Sequence, residues 1–154
     1  MSYVIANSSP LIALEQLGLL DILKKIFGSI FVPPAVTIEV APTVTLPEWI
    51  AERTLSQSIG TQILSASLGA GESEALSLAL ELQASLLILD ERPARRLASA
   101  LGIPVIGTLG ILLKAKNDML ISELKPHLTA LQAHGFRVSP SLYEQVLKSA
   151  DELP

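Results

Sequence analysis

The fold of this chain is decided by residues 68–116, LGAGESEALSLALELQASLLILDERPARRLASALGIPVIGTLGILLKAK. The pattern predicts a helix, a strand, a helix, a strand and a helix, in that order. The apolar run of residues 86–89 ends in Asp90, and the run of residues 104–106 ends in Gly107 and Thr108. Ligands of open parallel sheets bind in the crevice outside the carboxyl ends of the strands. We therefore expect the polar side chains at these strand ends to form a site.

The residues before this segment extend the alternation of strands and helices. A strand is predicted at residues 3–6, where Asn7 and the serines after it end the apolar run. A second strand is predicted at residues 30–32, and a short helix that carries Glu39 follows it. Residues 41–70 are weakly patterned and predict only short mixed elements. The alternation predicts an α/β fold with three layers, α/β/α, in which helices cover both faces of a central, mostly parallel sheet.

Length and composition limit the classes of protein that this chain can represent. Its 154 residues suffice for one domain with a full core, so we expect a single domain over residues 1–154. No apolar run approaches the roughly 20 residues of a membrane span. The amino terminus also lacks the features of a signal peptide, and we expect a cytoplasmic protein without membrane attachment. The chain has no cysteine, which excludes disulfides and thiolate metal sites.

The hydrophobic content and the charge bear on partners. Hydrophobic residues make up 49% of the chain, which favours a sheet buried on both faces or an oligomer interface such as that of a homodimer. The net charge of −4 does not by itself predict a nucleic-acid binder. Three positive charges are nevertheless clustered at Arg92, Arg95 and Arg96. They are able to contact an RNA backbone, although solvated surface charges are the more common explanation.

The helix predicted at residues 71–83 carries two acids near its start, Glu72 and Glu74. Because a helix turns about 100° per residue, Glu72 shares a broad apolar arc, whereas Glu74 and Ser77 fall on the opposite side. We therefore expect Glu72 to face the sheet edge and Glu74 to be a solvated charge. The plain alternative is that both acids only stabilise the helix start through its dipole, by about 0.3 to 1 kcal/mol.

Several segments together resemble the PIN domain, the fold of metal-dependent ribonucleases that includes the toxins of many bacterial toxin and antitoxin pairs. The resemblance covers almost the whole chain and rests on VIANSSPLIAL, PPAVTIEV, GESEAL, LLILDERPAR and IGTLGILLKAK. It implies an endoribonuclease that depends on Mg²⁺ or Mn²⁺. It also implies RNA as the substrate and an antitoxin-type protein as a partner.

The resemblance implies four metal-ligand and catalytic positions, which fall on Asn7, Glu39, Glu72 and Asp90. Glu74 is the less favoured choice for the third position. Clustered carboxylates of this kind hold one or two divalent ions, and their oxygen atoms suit Mg²⁺ and Mn²⁺.

Two hydroxyl side chains, those of Ser8 and Thr108, accompany these positions. They are able to orient water or a phosphate group, although a hydroxyl at a helix start is more often only a cap. Each of the four ligand candidates also has a plain alternative. Asn7 is equally well explained as a turn residue that bonds its own backbone, Glu39 as a surface acid on a short helix and Asp90 as a cap for the helix that Pro93 opens.

Asn7 is the departure from the family pattern, because its amide is neutral where the family has a carboxylate. This loss of charge should weaken metal binding, so the alternative function is a catalytically weak or inactive PIN-like module that binds nucleic acid or protein. A phosphoacceptor domain of response-regulator type is a further alternative. That class needs adjacent acids after the first strand, where this chain has Asn7 and two serines.

Overall fold

The centre of the fold is a parallel β-sheet. The computed structural model describes residues 2–153, and within them the sheet has five strands in the order β3-β2-β1-β4-β5. Every neighbouring pair is parallel. The strands are β1 (Val4–Ala6), β2 (Ile30–Val32), β3 (Ile50–Glu52), β4 (Leu86–Ile88) and β5 (Val105–Ile106).

Helices connect the strands and cover both faces of the sheet. In the described part of the chain they are α1 (Ser8–Gln16), α2 (Asp21–Phe27), α3 (Pro34–Val40), α4 (Ile59–Leu64), α5 (Ala70–Leu82), α6 (Arg92–Ala100), α7 (Thr108–Asn117), α8 (Lys125–Ala133) and α9 (Pro140–Ser149). The predicted order of helices and strands in residues 68–116 is confirmed as α5, β4, α6, β5 and α7. The three-layer α/β/α fold is confirmed as well.

Alternation along the strands creates two apolar cores. In β1, the side chains of Val4 and Ala6 belong to the core that includes α1, α2, α7, α8 and α9. The side chain of Ile5 points to the opposite face and belongs to the core formed with α5 and α6. Ile5 and Ala6 have no exposed surface, so β1 is buried on both faces, as expected for the central strand of a parallel sheet.

The strand order places a crevice beside β1. The chain moves from β1 to β2 and β3 on one side and then returns to add β4 and β5 on the other. The connections diverge between β1 and β4, and such a switch point is where α/β sheets bind ligands. Helix α3 contacts both α1 and α5, so it lies against both helical layers beside this crevice.

Residues 41–70 contain short mixed elements, as predicted, although their identity was not readable. The strand β3 has one buried residue, Ile50, and two exposed ones. The helix α4 has no buried residue, and Ile59 and Ile63 are exposed. No helix within residues 2–153 has the length and apolarity needed to cross a bilayer.

Candidate metal site at the carboxyl edge of the sheet

Asn7 follows β1 directly and is held against the neighbouring strand, because its backbone N–H donates to the carbonyl of Ile88 at 2.9 Å. Its side chain is 2% exposed. The Oδ1 atom has no hydrogen-bond partner within the described residues, and the side chain makes no capping bond to α1. The turn-residue explanation is therefore not supported. A buried oxygen without a partner is uncommon, because leaving it unpaired costs about 1 to 3 kcal/mol.

Glu39 approaches Asn7 from α3. The exposed side chain of Glu39 accepts a hydrogen bond at Oε1 from the hydroxyl of Ser8, at 3.0 Å. Both Glu39 and Asn7 border the backbone of Gly71. A Cβ atom at Gly71 would overlap Glu39 Oε1 and would lie 3.2 Å from Asn7 Oδ1. The small size of Gly71 thus allows these two oxygen-bearing side chains to meet at the start of α5.

Glu72 is half-buried one residue further along α5. Its Oε1 accepts a hydrogen bond from the backbone N–H of Gly69 at 3.1 Å, which satisfies an amide just before the helix. Burial raises the pKa of Glu72, and the negative charges of Glu91 and Glu39 raise it further, against the lowering effect of the bond from Gly69. Glu72 therefore lies within electrostatic range of two other acids, and its carboxylate is less stable than an ordinary one.

Glu91 was missed by the sequence analysis. It occupies the N-cap position of α6 but makes no capping bond with its side chain, which is exposed. Its charge acts on Glu72 more strongly than that of Glu39 does. The sequence does show Glu91 as the second acid of the pair that follows β4, after Asp90.

Asp90 is paired with Thr108 across the carboxyl ends of β4 and β5. Because Ile88 is in register with Ile106, the residues two positions further on lie side by side. The Thr108 N–H donates to Asp90 Oδ1 at 2.8 Å, and the Thr108 hydroxyl donates to Oδ2 at 2.7 Å. Asp90 thus caps the start of α7, the helix that Thr108 begins. The expectation that it caps the helix opened by Pro93 is not observed.

Glu74 is not a solvated charge, and this prediction was wrong. Its side chain is half-buried, and Oε1 accepts a hydrogen bond from the backbone N–H of Ala35 at 3.0 Å. Helical periodicity placed Ser77 on the same solvent-facing side, yet Ser77 is only 5% exposed. This prediction from periodicity failed because α3 and α4 both pack against α5 and cover the side that a surface helix would expose.

Arg95 extends the site on the side of β5. Its Nη1 donates to the carbonyl of Leu89 at 3.2 Å. A Cβ atom at Gly107 would lie 2.5 Å from Arg95 Nη1 and 2.8 Å from Asp90 Oδ1. Gly107 therefore allows Arg95 and Asp90 to lie close to the end of β5, as Gly71 allows Glu39 and Asn7 to meet at the start of α5.

The acids of this edge do not form a closed cluster. Within residues 2–153, no group of three or more acidic or histidine side chains is close enough to hold a metal ion as it stands. The chemistry of the donors nevertheless fits a hard divalent cation, because Asn7, Glu39, Glu72 and Asp90 all offer oxygen atoms. The unpartnered Oδ1 of Asn7 adds a neutral acceptor that is already desolvated.

The fold and this edge define a class of protein, a three-layer α/β/α domain with acids at the switch point of a parallel sheet. The family comparison identifies the family. A family model described as a PIN domain matches residues 3–152, and the chain belongs to that family. PIN domains are a nuclease-type fold that generally uses divalent metal ions, and membership suggests nucleic-acid binding. Neither the curated proteins nor the solved structures gave a significant match.

Proposed function

We propose that this protein is a divalent-metal-dependent endoribonuclease whose ligands are Asn7, Glu39, Glu72 and Asp90. The observation that supports the proposal most strongly is the buried Oδ1 of Asn7, which has no hydrogen-bond partner in the described part of the chain and lies next to the carboxylate of Glu39. Two acceptor groups placed together without a shared donor favour a cation between them. Membership of the PIN family supports the same conclusion.

Each proposed ligand retains an oxygen for this purpose. Glu72 uses Oε1 for the amide of Gly69, and Oε2 is left for a metal ion. Asp90 uses both oxygens for Thr108, but each carboxylate oxygen has a second lone pair. Ser8 orients Glu39, and Thr108 orients Asp90. When bound, Mg²⁺ or Mn²⁺ supplies Lewis-acid stabilisation of charge on the scissile phosphate and lowers the pKa of water.

The test is Mn²⁺-stimulated cleavage of a labelled RNA by the full chain. We expect Glu72→Gln, Glu39→Gln and Asp90→Asn each to lower the rate by about 100-fold or more. Glutamine at position 72 still accepts the bond from Gly69, so the helix start is preserved. The matched control is Glu144→Gln at an exposed position of α9, which should cleave at the wild-type rate. Wild-type rates in all three site variants would contradict the proposal.

A binding module without catalysis is the second candidate function. It is favoured by the neutral amide of Asn7. It is also favoured by the finding that no three acidic or histidine side chains within residues 2–153 lie close enough together to hold a metal ion. Calorimetry with Mn²⁺ separates the two candidate functions, because a folded protein that binds no metal would be the binding module.

An antitoxin-type partner, a homodimer and a cytoplasmic location remain predictions from the sequence. The exposed side chains of Ile38, Ile59 and Ile63 offer apolar surface to a protein partner.

A further inference from the structure

A stripe of arginines runs along α6 away from the acidic edge. Arg92, Arg95, Arg96 and Ser99 are spaced three, four and seven residues from the first, which places them on one face of the helix. Together they line a shallow depression of about 480 Å³. The opposite face of α6 is anchored in the core through Ala94 and Ala98, which have no exposed surface. The stripe is therefore presented to solvent on a fixed element about 13 Å long.

The arginines of this stripe form no ion pair within residues 2–153. Within the described part of the chain, the ion pairs are Lys114 with Asp118 and Lys116 with Glu152, so no arginine of α6 takes part in one. Arg92 and Arg96 are exposed, and Arg95 is half-buried. The three guanidinium groups, of which Arg95 also donates to the carbonyl of Leu89, concentrate positive charge on one helix of a chain with a net charge of −4.

The stripe begins at the candidate metal site. Arg95 reaches the carbonyl of Leu89, and the gap at Gly107 brings its Nη1 close to Asp90 Oδ1. Arg92 follows Glu91 directly, and Arg96 and Ser99 continue along the helix. A linear anion that starts at the acids and follows α6 would therefore meet one guanidinium group after another.

The side chains of the depression also indicate how a ligand would be recognised. Guanidinium groups pair with phosphate oxygens through two parallel hydrogen bonds, and the serine hydroxyl is a further donor. The lining contains no aromatic side chain on which a base could stack. Such a surface would bind the phosphates of a nucleic-acid strand and would make no contact that distinguishes one base from another.

We infer that the depression lined by Arg92, Arg95, Arg96 and Ser99 holds the phosphodiester backbone of a single RNA strand next to the phosphate that is cleaved, without sequence preference. The inference rests on the proposed ribonuclease function and adds the surface that positions the substrate. Phosphate contacts release counterions, so the binding constant K of RNA falls as the salt concentration rises. For a single strand, each phosphate contact that is lost should reduce the slope of log K against log salt concentration by about 0.7.

The experiment measures fluorescence anisotropy of a labelled single-stranded RNA with the full chain in EDTA, so that no cleavage occurs. We expect the double variant Arg92→Gln, Arg96→Gln to reduce the salt slope by about 1.4 and to weaken binding on the order of tenfold at about 50 mM salt. The matched control is Lys24→Gln, Lys25→Gln, which removes the same charge from exposed positions of α2. It should retain the wild-type slope.

The outcomes separate this inference from the ribonuclease proposal. Equal slopes in the arginine variant and the wild type, or equal losses in the two double variants, would overturn the inference. Displacement of the RNA by polyglutamate at equal charge concentration would overturn it too, since the surface would then not select phosphate. Glu72→Gln should bind RNA at least as tightly as the wild type. Arginine-dependent binding without Mn²⁺-stimulated cleavage would support the surface and contradict the nuclease.

Discussion

The two halves of the carboxyl edge differ in how completely their polar groups are paired. In the open half, formed by Asn7, Ser8, Glu39 and Glu72, an amide oxygen is buried with no partner among residues 2–153, and the charges of Glu91 and Glu39 raise the pKa of Glu72. In the paired half, formed by Asp90 and Thr108, both carboxylate oxygens accept hydrogen bonds. Paired groups add to stability, whereas a buried unpaired group costs free energy that a ligand is able to recover. On the proposed function, we expect metal affinity to depend mainly on the open half and stability mainly on the paired half.

The strongest test of this contrast is Asn7→Asp, which places a charge at a position that is 2% exposed. Without a counterion the carboxylate would be desolvated beside Glu39 and Glu72, so we expect the free energy of unfolding to fall by about 3 kcal/mol near neutral pH. Saturating Mn²⁺ should restore most of this loss and should bind more tightly than to the wild type. Chemical denaturation with and without Mn²⁺ measures both effects.

The control for this variant is the same change at Asn117, an exposed residue at the end of α7. Asn117→Asp should shift the free energy of unfolding by under about 1 kcal/mol, with no dependence on Mn²⁺. A loss of stability at Asn7 that Mn²⁺ does not reverse would show that the open half takes up no cation.

The second test compares the hydrogen bonds that a side-chain hydroxyl donates to a carboxylate in each half. Thr108→Val removes the donor to Asp90 Oδ2 and keeps the shape of the side chain, and we expect a loss of about 1.5 to 3 kcal/mol because a partly buried carboxylate loses a bond. Ser8→Ala removes the donor to the exposed Glu39 and should cost under about 0.5 kcal/mol. Urea denaturation measures both, and Thr108→Ser should recover part of the loss. Equal losses of stability in Thr108→Val and Ser8→Ala would contradict the proposed difference between the two halves.

The smallest effect is a pH dependence with opposite signs at the two ends of α5. Burial, followed by the charges of Glu91 and Glu39, raises the pKa of Glu72. The folded state then holds this proton more tightly than the unfolded state, so the stability that Glu72 contributes is present below its ordinary pKa and is lost as the pH rises through the raised value. Glu72→Gln should therefore gain stability relative to the wild type as the pH rises through that window.

Glu81 gives the opposite sign on the same helix. Its pKa is lowered, first by the hydrogen bond from the backbone of Ser56 and also by that from Gln57, at 3.0 and 2.9 Å. Its contribution is present above the ordinary pKa and is lost as the pH falls, so Glu81→Gln should lose stability relative to the wild type as the pH rises. Denaturation of both variants between about pH 3 and pH 7 measures the two trends. Parallel trends would contradict the assignment of Glu72 to the open half.

Sequence reasoning succeeded where one face of an element decides its place. The apolar runs before Asp90 and before Gly107 mark two neighbouring parallel strands, and they predicted the edge at which polar groups collect. It failed at β3, since only Ile50 of that edge strand is buried and no alternation is visible. It also failed at Glu74, because the position of an acid on a helix says nothing about the neighbouring helix that will cover it.

The candidate site was predicted from the sequence only as a set of residues. Asn7, Glu39, Glu72 and Asp90 were chosen from their places in the pattern and from the family resemblance, and their roles as metal ligands stay predictions. The pairing of Asp90 with Thr108 depends on the register of β4 and β5, which the sequence does not state. The role of Gly71 depends on how closely α3 approaches α5, and the influence of Glu91 on Glu72 depends on the position of α6. These are tertiary distances, and each involves residues that are separated along the chain.

The bond between Glu74 and the amide of Ala35 joins residues that are 39 positions apart. It fastens the start of α3, the seven-residue helix that carries Glu39. A helix this short is not stable alone in water, so it depends on contacts with its neighbours. The place of Glu39 in the acidic edge therefore depends on the docking of α3 against α5, two elements that are far apart along the chain. A change that weakens this docking would displace Glu39 from Asn7 and Glu72 without touching any of the three.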